Sequence, residues 1–227
     1  MRIRSRILCV AFVLFVLLGC SSIPGGGSIS EPSGEGPFPA IIVLHTSGGL
    51  TQHERNYAKK LSANGYVATA VNWSSGGGTN VTDAYDYLIA RPDVDPDRIG
   101  LVGFSKGALS ALWLSSRLSL MQSDYNIAGV VSYYIGHSIV PWIKQLDHPP
   151  TLFLHGDQDL YVEPIEIINY CQERIENNAV CEYKIYKGAK HAFDHQSPFR
   201  GYDGVVTADA WNRALAFLDI YVKRESQ

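Results

Sequence analysis

Charged residues are scarce in this sequence, and neither sign dominates. Of 227 residues, 18% are charged, with 19 basic and 22 acidic side chains and a net charge of −3. Without a basic excess, the chain lacks the electrostatic footprint of a nucleic-acid-binding protein. It also shows no internal repeat, which excludes a repeat array. The hydrophobic content of 46% suits one core of ordinary size, so we expect a single folded domain.

Cysteine is also scarce, with four in the chain. Cys9 lies in an N-terminal apolar segment and Cys20 directly follows it, so only Cys171 and Cys181 remain for the folded domain. Cys171 falls on the apolar face of a predicted helix, and Cys181 on the apolar side of the strand that follows. The two sulfurs could therefore meet, and both a disulfide and a pair of buried thiols fit the pattern.

Long apolar runs are few, and the one at residues 7–18 is too short to span a membrane comfortably. Three arginines precede it, and it ends in Leu-Leu-Gly before Cys20. This pattern resembles a bacterial lipoprotein signal, which implies cleavage before Cys20 and lipid attachment to that residue. Ser21 at the next position resembles sorting to the outer membrane, facing the periplasm or the cell surface. An ordinary secretory signal or an uncleaved anchor is the alternative.

These features divide the chain into a lipoprotein signal peptide at residues 1–19, a linker at 20–37 and a folded domain at 38–227. The linker begins with Cys20 and is rich in glycine, serine and proline, so we expect a flexible tether about 50 Å long at full stretch. Removing the signal removes three basic residues and no acidic ones, so 16 minus 22 leaves a net charge of −6.

Apolar runs alternate with helical patterns along the domain. The runs predict strands near residues 40–44, 67–71, 99–103, 127–133, 151–155 and 180–186. Continuous apolar strands separated by helices are typical of a parallel sheet covered on both faces. The predicted fold class is therefore α/β.

The most specific motif is the Gly-Phe-Ser-Lys-Gly of residues 103–107. It follows an apolar strand and opens a helical run, which is the context in which a G-x-S-x-G sequence turns sharply and exposes the serine hydroxyl. Ser105 is therefore the candidate nucleophile. Because a serine hydroxyl is a weak nucleophile, it needs a histidine base, a carboxylate and oxyanion donors.

Candidates for the other components follow predicted strands. Asp159 comes after the strand near 151–155 and is the candidate acid, with Asp157 and Asp194 as rivals. His191 follows the last strand and is the candidate base. The glycine-containing loop after the first strand supplies one candidate oxyanion donor, the amide of Thr46, and the amide of Lys106 is the other.

Three further side chains are candidates for the substrate pocket: His45, Trp73 and Tyr134. No feature of the sequence indicates an organic cofactor. His191 and His195 are spaced i and i+4, but their segment has no helix signal, so we expect no metal site there.

The motifs resemble the dienelactone hydrolase family of the α/β hydrolases, in particular members with serine in place of the founding cysteine. The resemblance is carried by residues 36–40 leading into 45–50, by 64–68, by 94–100 leading to 103–105, by 155–159 and by 188–193. It implies an α/β-hydrolase fold with a mostly parallel, doubly wound sheet, and it implies that the family's triad falls on Ser105, Asp159 and His191. Residues 73–80 depart from the family pattern because they form a shorter segment, which indicates a minimal cap.

We therefore expect a membrane-tethered serine hydrolase that cleaves small carboxylic esters or lactones through an acyl-enzyme. A thioesterase or peptidase could use the same triad. A third possibility is an envelope lipoprotein that keeps the fold and binds a partner without catalysis. The sequence leaves the natural substrate and the oligomeric state open.

Overall fold

A seven-stranded sheet with helices on both faces forms the core of the domain. The computed structural model describes residues 27–76, 79–121, 125–139, 147–196 and 201–223. The strands are β1 (Ser28–Ser30), β2 (Phe38–Leu44), β3 (Val67–Val71), β4 (Val94–Phe104), β5 (Gly129–Tyr133), β6 (Thr151–Gly156) and β7 (Cys181–Tyr186). The helices are α1 (Gln52–Ser62), α2 (Thr79–Ile89), α3 (Lys106–Met121), α4 (Pro164–Glu176) and α5 (Gly204–Tyr221).

The strand order is β1-β3-β2-β4-β5-β6-β7, and every neighbouring pair is parallel except β1 with β3. The predicted α/β class, with a mostly parallel sheet covered on both faces, is therefore confirmed. Strands β2 to β6 are almost entirely buried because helices cover them on both sides. All parallel strands end at the same carboxyl edge, so the loops that follow β2, β4, β6 and β7 meet there.

Two apolar layers flank the sheet. Alternate side chains of β2 point to opposite faces: Ile42 belongs to the apolar cluster that includes residues of α2, α3 and α4, whereas Ile41 belongs to the cluster that includes residues of α1 and α5. Helix α1 begins with a capping box in which Thr51 receives the His53 N–H, while the buried Glu54 accepts from the Thr51 backbone N–H at 2.9 Å. None of the helices in the described ranges is both long and apolar enough to cross a membrane.

The predicted linker extends too far into the chain. Ser28–Ser30 forms β1 and pairs antiparallel with β3 in the register Ser28 to Ala70 and Ser30 to Ala68. Glu31 then binds Arg91 at 2.7 Å, next to Asp93. Glycine and proline around this strand concealed it, because a three-residue edge strand is stabilised by a neighbour that the local sequence does not reveal. Cys20, the signal at 1–19 and the start of the linker lie outside the described residues.

Cys171 and Cys181 are joined by a disulfide, so of the two alternatives the structure has the bridge. Cys171 lies on α4 and Cys181 begins β7 at the edge of the sheet. The bridge therefore fastens α4 to the edge strand whose following loop carries His191.

A pair of buried tyrosines ties α5 to the sheet. The Tyr133 hydroxyl donates to the Ala210 carbonyl at 3.1 Å, and the Tyr57 hydroxyl lies 2.9 Å from it as the second partner. Burial raises the pKa of Tyr57 and Tyr133 above the usual value, so both stay protonated. With Tyr133 donating to Ala210, Tyr57 is the donor within the pair.

This arrangement predicts unequal effects for two matched substitutions. Tyr57→Phe removes one donor but leaves the Tyr133 hydroxyl bound to Ala210, so we expect a loss of about 1 kcal/mol or less in unfolding free energy. Tyr133→Phe leaves the buried Tyr57 hydroxyl without its acceptor, so we expect a loss of about 1–3 kcal/mol. Urea unfolding of both variants measures the difference, and a larger loss for Tyr57→Phe would contradict this network.

Candidate active site

Ser105 sits on a sharp turn between β4 and α3. Its backbone φ is +55°, a left-handed conformation that is strained for a residue with a side chain. The turn is held by the Ser105 N–H, which donates to the Tyr133 carbonyl at 3.0 Å. A Cβ on Gly107 would run into the carbonyl oxygens of His45 and Leu44, so α3 can approach β2 only with glycine at this position. The predicted G-x-S-x-G turn therefore has its expected geometry.

The three predicted triad residues form one chain of hydrogen bonds. Ser105 Oγ lies 2.8 Å from His191 Nε2, and His191 Nδ1 lies 2.7 Å from Asp159 Oδ2. Because the carboxylate can only accept, Nδ1 carries a proton and the Nε2 of a neutral ring is left to accept from the serine hydroxyl. Asp159 and His191 reach each other because β6 and β7 are neighbours that end at the same edge.

The two rival acids are engaged elsewhere. Asp157 accepts from the Gly188 backbone N–H at 2.7 Å, which joins the acid loop to the histidine loop. Asp194 accepts from the Tyr134 hydroxyl at 2.6 Å, and His53 Nε2 lies 3.4 Å from it on the far side. Asp159 is therefore the carboxylate that the structure places against His191.

Contacts within its own loop hold Asp159 in place. Its Oδ1 accepts from the Tyr161 backbone N–H at 2.8 Å, and its side chain is buried. His155 Nε2 donates to the Val162 carbonyl at 2.9 Å and lies 3.7 Å from the Asp159 carboxylate. Burial lowers the pKa of His155, which favours the neutral ring. The loop therefore presents one carboxylate oxygen to His191 without a second cation beside it.

Lys106 and Gly136 lie next to the Ser105 hydroxyl, where an oxyanion would form. Lys106 begins α3, so its backbone N–H has no partner within the helix and carries part of the positive end of the helix dipole. A Cβ on Gly136 would lie 2.7 Å from Ser105 Oγ and 2.8 Å from the Lys106 nitrogen. Gly136 therefore packs so closely on this turn that a side chain at residue 136 would displace the Ser105 hydroxyl or the Lys106 N–H. Thr46 lines the same cavity from the loop after β2.

The predicted pocket residues do not line this cavity. His45 is fully buried, with Nε2 3.1 Å from the Asn72 side-chain oxygen. Trp73 donates its indole N–H to the His45 carbonyl at 2.8 Å. Tyr134 is also fully buried, and its ring lies edge-on to His191 at 5.1 Å between centroids. All three support the site loops from behind, because the ends of buried strands direct their side chains into the packed layers.

The cavity at Ser105 has a volume of about 630 Å³ and opens to solvent. Its walls in the described part of the chain include Thr46, Ser47, Lys106, Gly136, His137, Leu160, Tyr161 and Lys190. The sequence reasoning missed Gly136 and Tyr161, whose ring centroid is 4.4 Å from that of His191. Their signal was position alone, since Gly136 follows the strand next to β4 and Tyr161 comes two residues after the acid.

Within the described ranges, no group of three His, Cys, Asp or Glu side chains is arranged to hold a metal ion. His191 and His195 have different partners. His191 contacts Ser105, and the His195 ring stacks on His53 at 5.0 Å.

Known proteins resemble this chain in sequence. The family model described as the dienelactone hydrolase family matches residues 75–222. A Bradyrhizobium protein described as a probable 2-oxo-3-(5-oxofuran-2-ylidene)propanoate lactonase is 25% identical over 218 residues, covering 84% of this chain and 87% of the relative.

Solved structures share the fold. A Klebsiella pneumoniae protein solved as a candidate dienelactone hydrolase superposes with a TM-score of 0.73 at 20% identity, covering 88% of this chain and 97% of that one. Esterase 2 of Thermogutta terrifontis, in a form phosphonylated by cyclosarin, superposes with a TM-score of 0.70 at 18% identity, covering 88% and 90% of the two chains. The family match spans well over half of the chain and includes Ser105, Asp159 and His191. This protein therefore belongs to the dienelactone hydrolase family.

Proposed function

We propose that the protein is a serine hydrolase that cleaves carboxylic ester or lactone bonds through an acyl-enzyme. The observation that carries the proposal is the continuous hydrogen-bonded chain from Ser105 through His191 to the buried Asp159. Membership of a hydrolase family supports the reaction class.

In this mechanism His191 Nε2 takes the proton from Ser105 Oγ as the oxygen attacks the substrate carbonyl. Asp159 stabilises the imidazolium that forms and keeps the ring oriented. The backbone N–H groups of Lys106 and Thr46 stabilise the oxyanion. The imidazolium then gives its proton to the leaving alcohol, and an acyl-serine remains. A water molecule, deprotonated by His191, hydrolyses that ester and restores the free hydroxyl.

We further propose that the mature protein is lipid-anchored in a bacterial envelope through Cys20. The support is the sequence pattern of residues 1–20, with a basic start, an apolar run and a small residue before the cysteine. The disulfide between Cys171 and Cys181 is in keeping with an exported protein, because such bonds persist in oxidising compartments. The mass of the N-terminal peptide of the purified protein tests this anchor.

Active-site labelling tests the nucleophile. A fluorophosphonate probe should modify Ser105, and the modification should be lost in Ser105→Ala and strongly reduced in His191→Ala. Ser105→Ala should also lower p-nitrophenyl acetate turnover by roughly 10⁵-fold or more, because the acyl-enzyme route is closed. Unchanged circular dichroism serves as the folding control. Labelling at another serine, or full turnover in Ser105→Ala, would overturn the assignment.

A second substitution tests the close packing at the nucleophile turn without replacing a triad residue. Gly136→Ala should lower kcat/KM for small esters by about 100-fold or more, because its Cβ would clash with Ser105 Oγ and the Lys106 nitrogen and displace the nucleophile or the oxyanion donor. The matched control is Gly204→Ala at the start of α5, where the nearest atom to an added Cβ is 3.4 Å away. We expect near-parental kcat/KM for the control, and equal activity of the two variants would contradict this role for Gly136.

Ester, thioester and amide probes of one acyl group separate the related activities of the triad. An ester preference in kcat/KM is the expected result. A preference for the thioester or the amide would instead identify a thioesterase or a peptidase. A folded protein that resists the fluorophosphonate would favour a non-catalytic binding role.

A further inference from the structure

The first strand brings the N-terminal tether to the same edge of the sheet as the active site. Because β1 runs antiparallel to β3, its first residue, Ser28, lies beside Ala70 near the carboxyl end of β3. Gly27 is also at this end, since a Cβ there would meet the Ala70 carbonyl oxygen at 2.7 Å. Ser105 follows β4, three strands across from β1, which is a lateral distance of about 15 Å.

The tether that remains is short. With β1 inside the sheet and Glu31 bound to Arg91, only the seven steps from Cys20 to Gly27 separate the lipidation site from the fold. Even fully extended, these residues span about 25 Å, half of the length expected from the sequence. A lipid on Cys20 would therefore keep the carboxyl edge, and not the opposite edge, near the membrane surface.

The same edge presents an unusual apolar surface, which we call the lip and define as Leu160 and Tyr161. The Leu160 side chain is 95% exposed and that of Tyr161 is 65% exposed. Both line the mouth of the catalytic cavity. The lip is held rigidly, because the Tyr161 N–H donates to Asp159 and its ring packs against His191. An apolar pair this exposed in a fixed loop is well suited to contact with another apolar phase.

A third exposed side chain belongs to the same region. Val205, which is 82% exposed, lies in the first turn of α5. That turn is tied to the histidine loop by the Asp203 N–H, which donates to the Phe193 carbonyl at 2.8 Å. The three most exposed large apolar side chains of the described residues therefore all lie on segments that begin at the carboxyl edge.

We propose that this edge docks on a lipid surface through the lip, so that Ser105 opens toward the membrane and takes ester substrates from the lipid phase. This inference rests on the hydrolase function and the lipid anchor proposed above. Two apolar side chains alone hold a free protein on a membrane only weakly. A short tether changes this balance, because it makes the contact intramolecular and keeps the lip at high local concentration.

Hydroxyl-radical footprinting of the lipidated protein tests the orientation directly. The protein is reconstituted in vesicles of phosphatidylcholine and phosphatidylglycerol, and side-chain oxidation is read by mass spectrometry. Leu160 and Tyr161 should be oxidised several-fold more slowly on vesicles than in a variant with about twenty Gly/Ser residues inserted after Ser22, which stays anchored but can leave the surface. Ile175, 54% exposed at the opposite end of α4, is the internal control and should be oxidised equally in both proteins.

The insertion variant also supplies a kinetic test, because the tether lies outside the catalytic machinery. Turnover of the water-soluble p-nitrophenyl acetate should be equal in the two proteins. Turnover of a long-chain p-nitrophenyl ester embedded in the same vesicles should be several-fold lower with the long tether. Equal turnover of the embedded ester would overturn the proposal that the site faces the lipid.

The remaining outcomes separate the inference from its premises. If Cys20 carries no lipid, the docking proposal is overturned. Turnover of p-nitrophenyl acetate by the same protein would still support the hydrolase function. No turnover of either ester would reject the hydrolase function and, with it, the uptake of ester substrates from the lipid, whatever the footprint shows. Equal oxidation of Leu160 and Tyr161 in the two lipidated proteins on vesicles would overturn the docking. Slow oxidation of the lip in both proteins without vesicles would indicate that a second copy of the chain covers this surface. That result would also overturn docking on lipid.

Discussion

The left-handed conformation of Ser105 is the constraint on which the site depends. A non-glycine residue with φ near +55° costs about 1–3 kcal/mol, and the surrounding structure must supply this free energy. It does so by holding the turn from both sides. The Ser105 N–H is bound to β5, and α3 packs so closely on β2 that residue 107 can carry no side chain. The buried parallel sheet thus holds the serine in a conformation that it would not adopt in a free peptide.

The same sheet explains why the other groups converge on Ser105. Asp159 and His191 lie on loops that follow adjacent parallel strands, and the disulfide fastens the second of these strands to α4. Hydrogen bonds between the loops, such as the one from the Gly188 N–H to Asp157, join the acid segment to the histidine segment. The buried aromatic layer behind them, including Tyr134, supports His191 without entering the cavity. The buried side of His191 is therefore packed, and its other side faces the cavity that the lip residues line.

Short edge elements have consequences beyond their size. Strand β1 contains three residues, yet its antiparallel pairing determines at which end of the sheet the N-terminal tether leaves. Had the chain entered the sheet in the opposite direction, the tether would leave at the amino ends of the parallel strands. With the lipid proposed on Cys20, the direction of this one edge strand would also set which end of the sheet faces the membrane.

The sequence by itself determined the α/β class, six of the seven strands, the candidate nucleophile Ser105 and base His191, and the order in which nucleophile, acid and base follow along the chain. These features are local, because each of their signals depends on a few consecutive residues. The signals are the apolar runs, the glycines at strand ends and the G-x-S-x-G turn. Only the tertiary structure decided between Asp159 and its rivals, since that choice depends on which carboxylate reaches His191 across two strands. The tertiary structure also showed that His45, Trp73 and Tyr134 lie outside the cavity. It showed that Gly136 packs against Ser105 and that Ser28–Ser30 pairs with β3. Each of these outcomes depends on contacts between segments distant in the chain, which no local pattern of residues encodes.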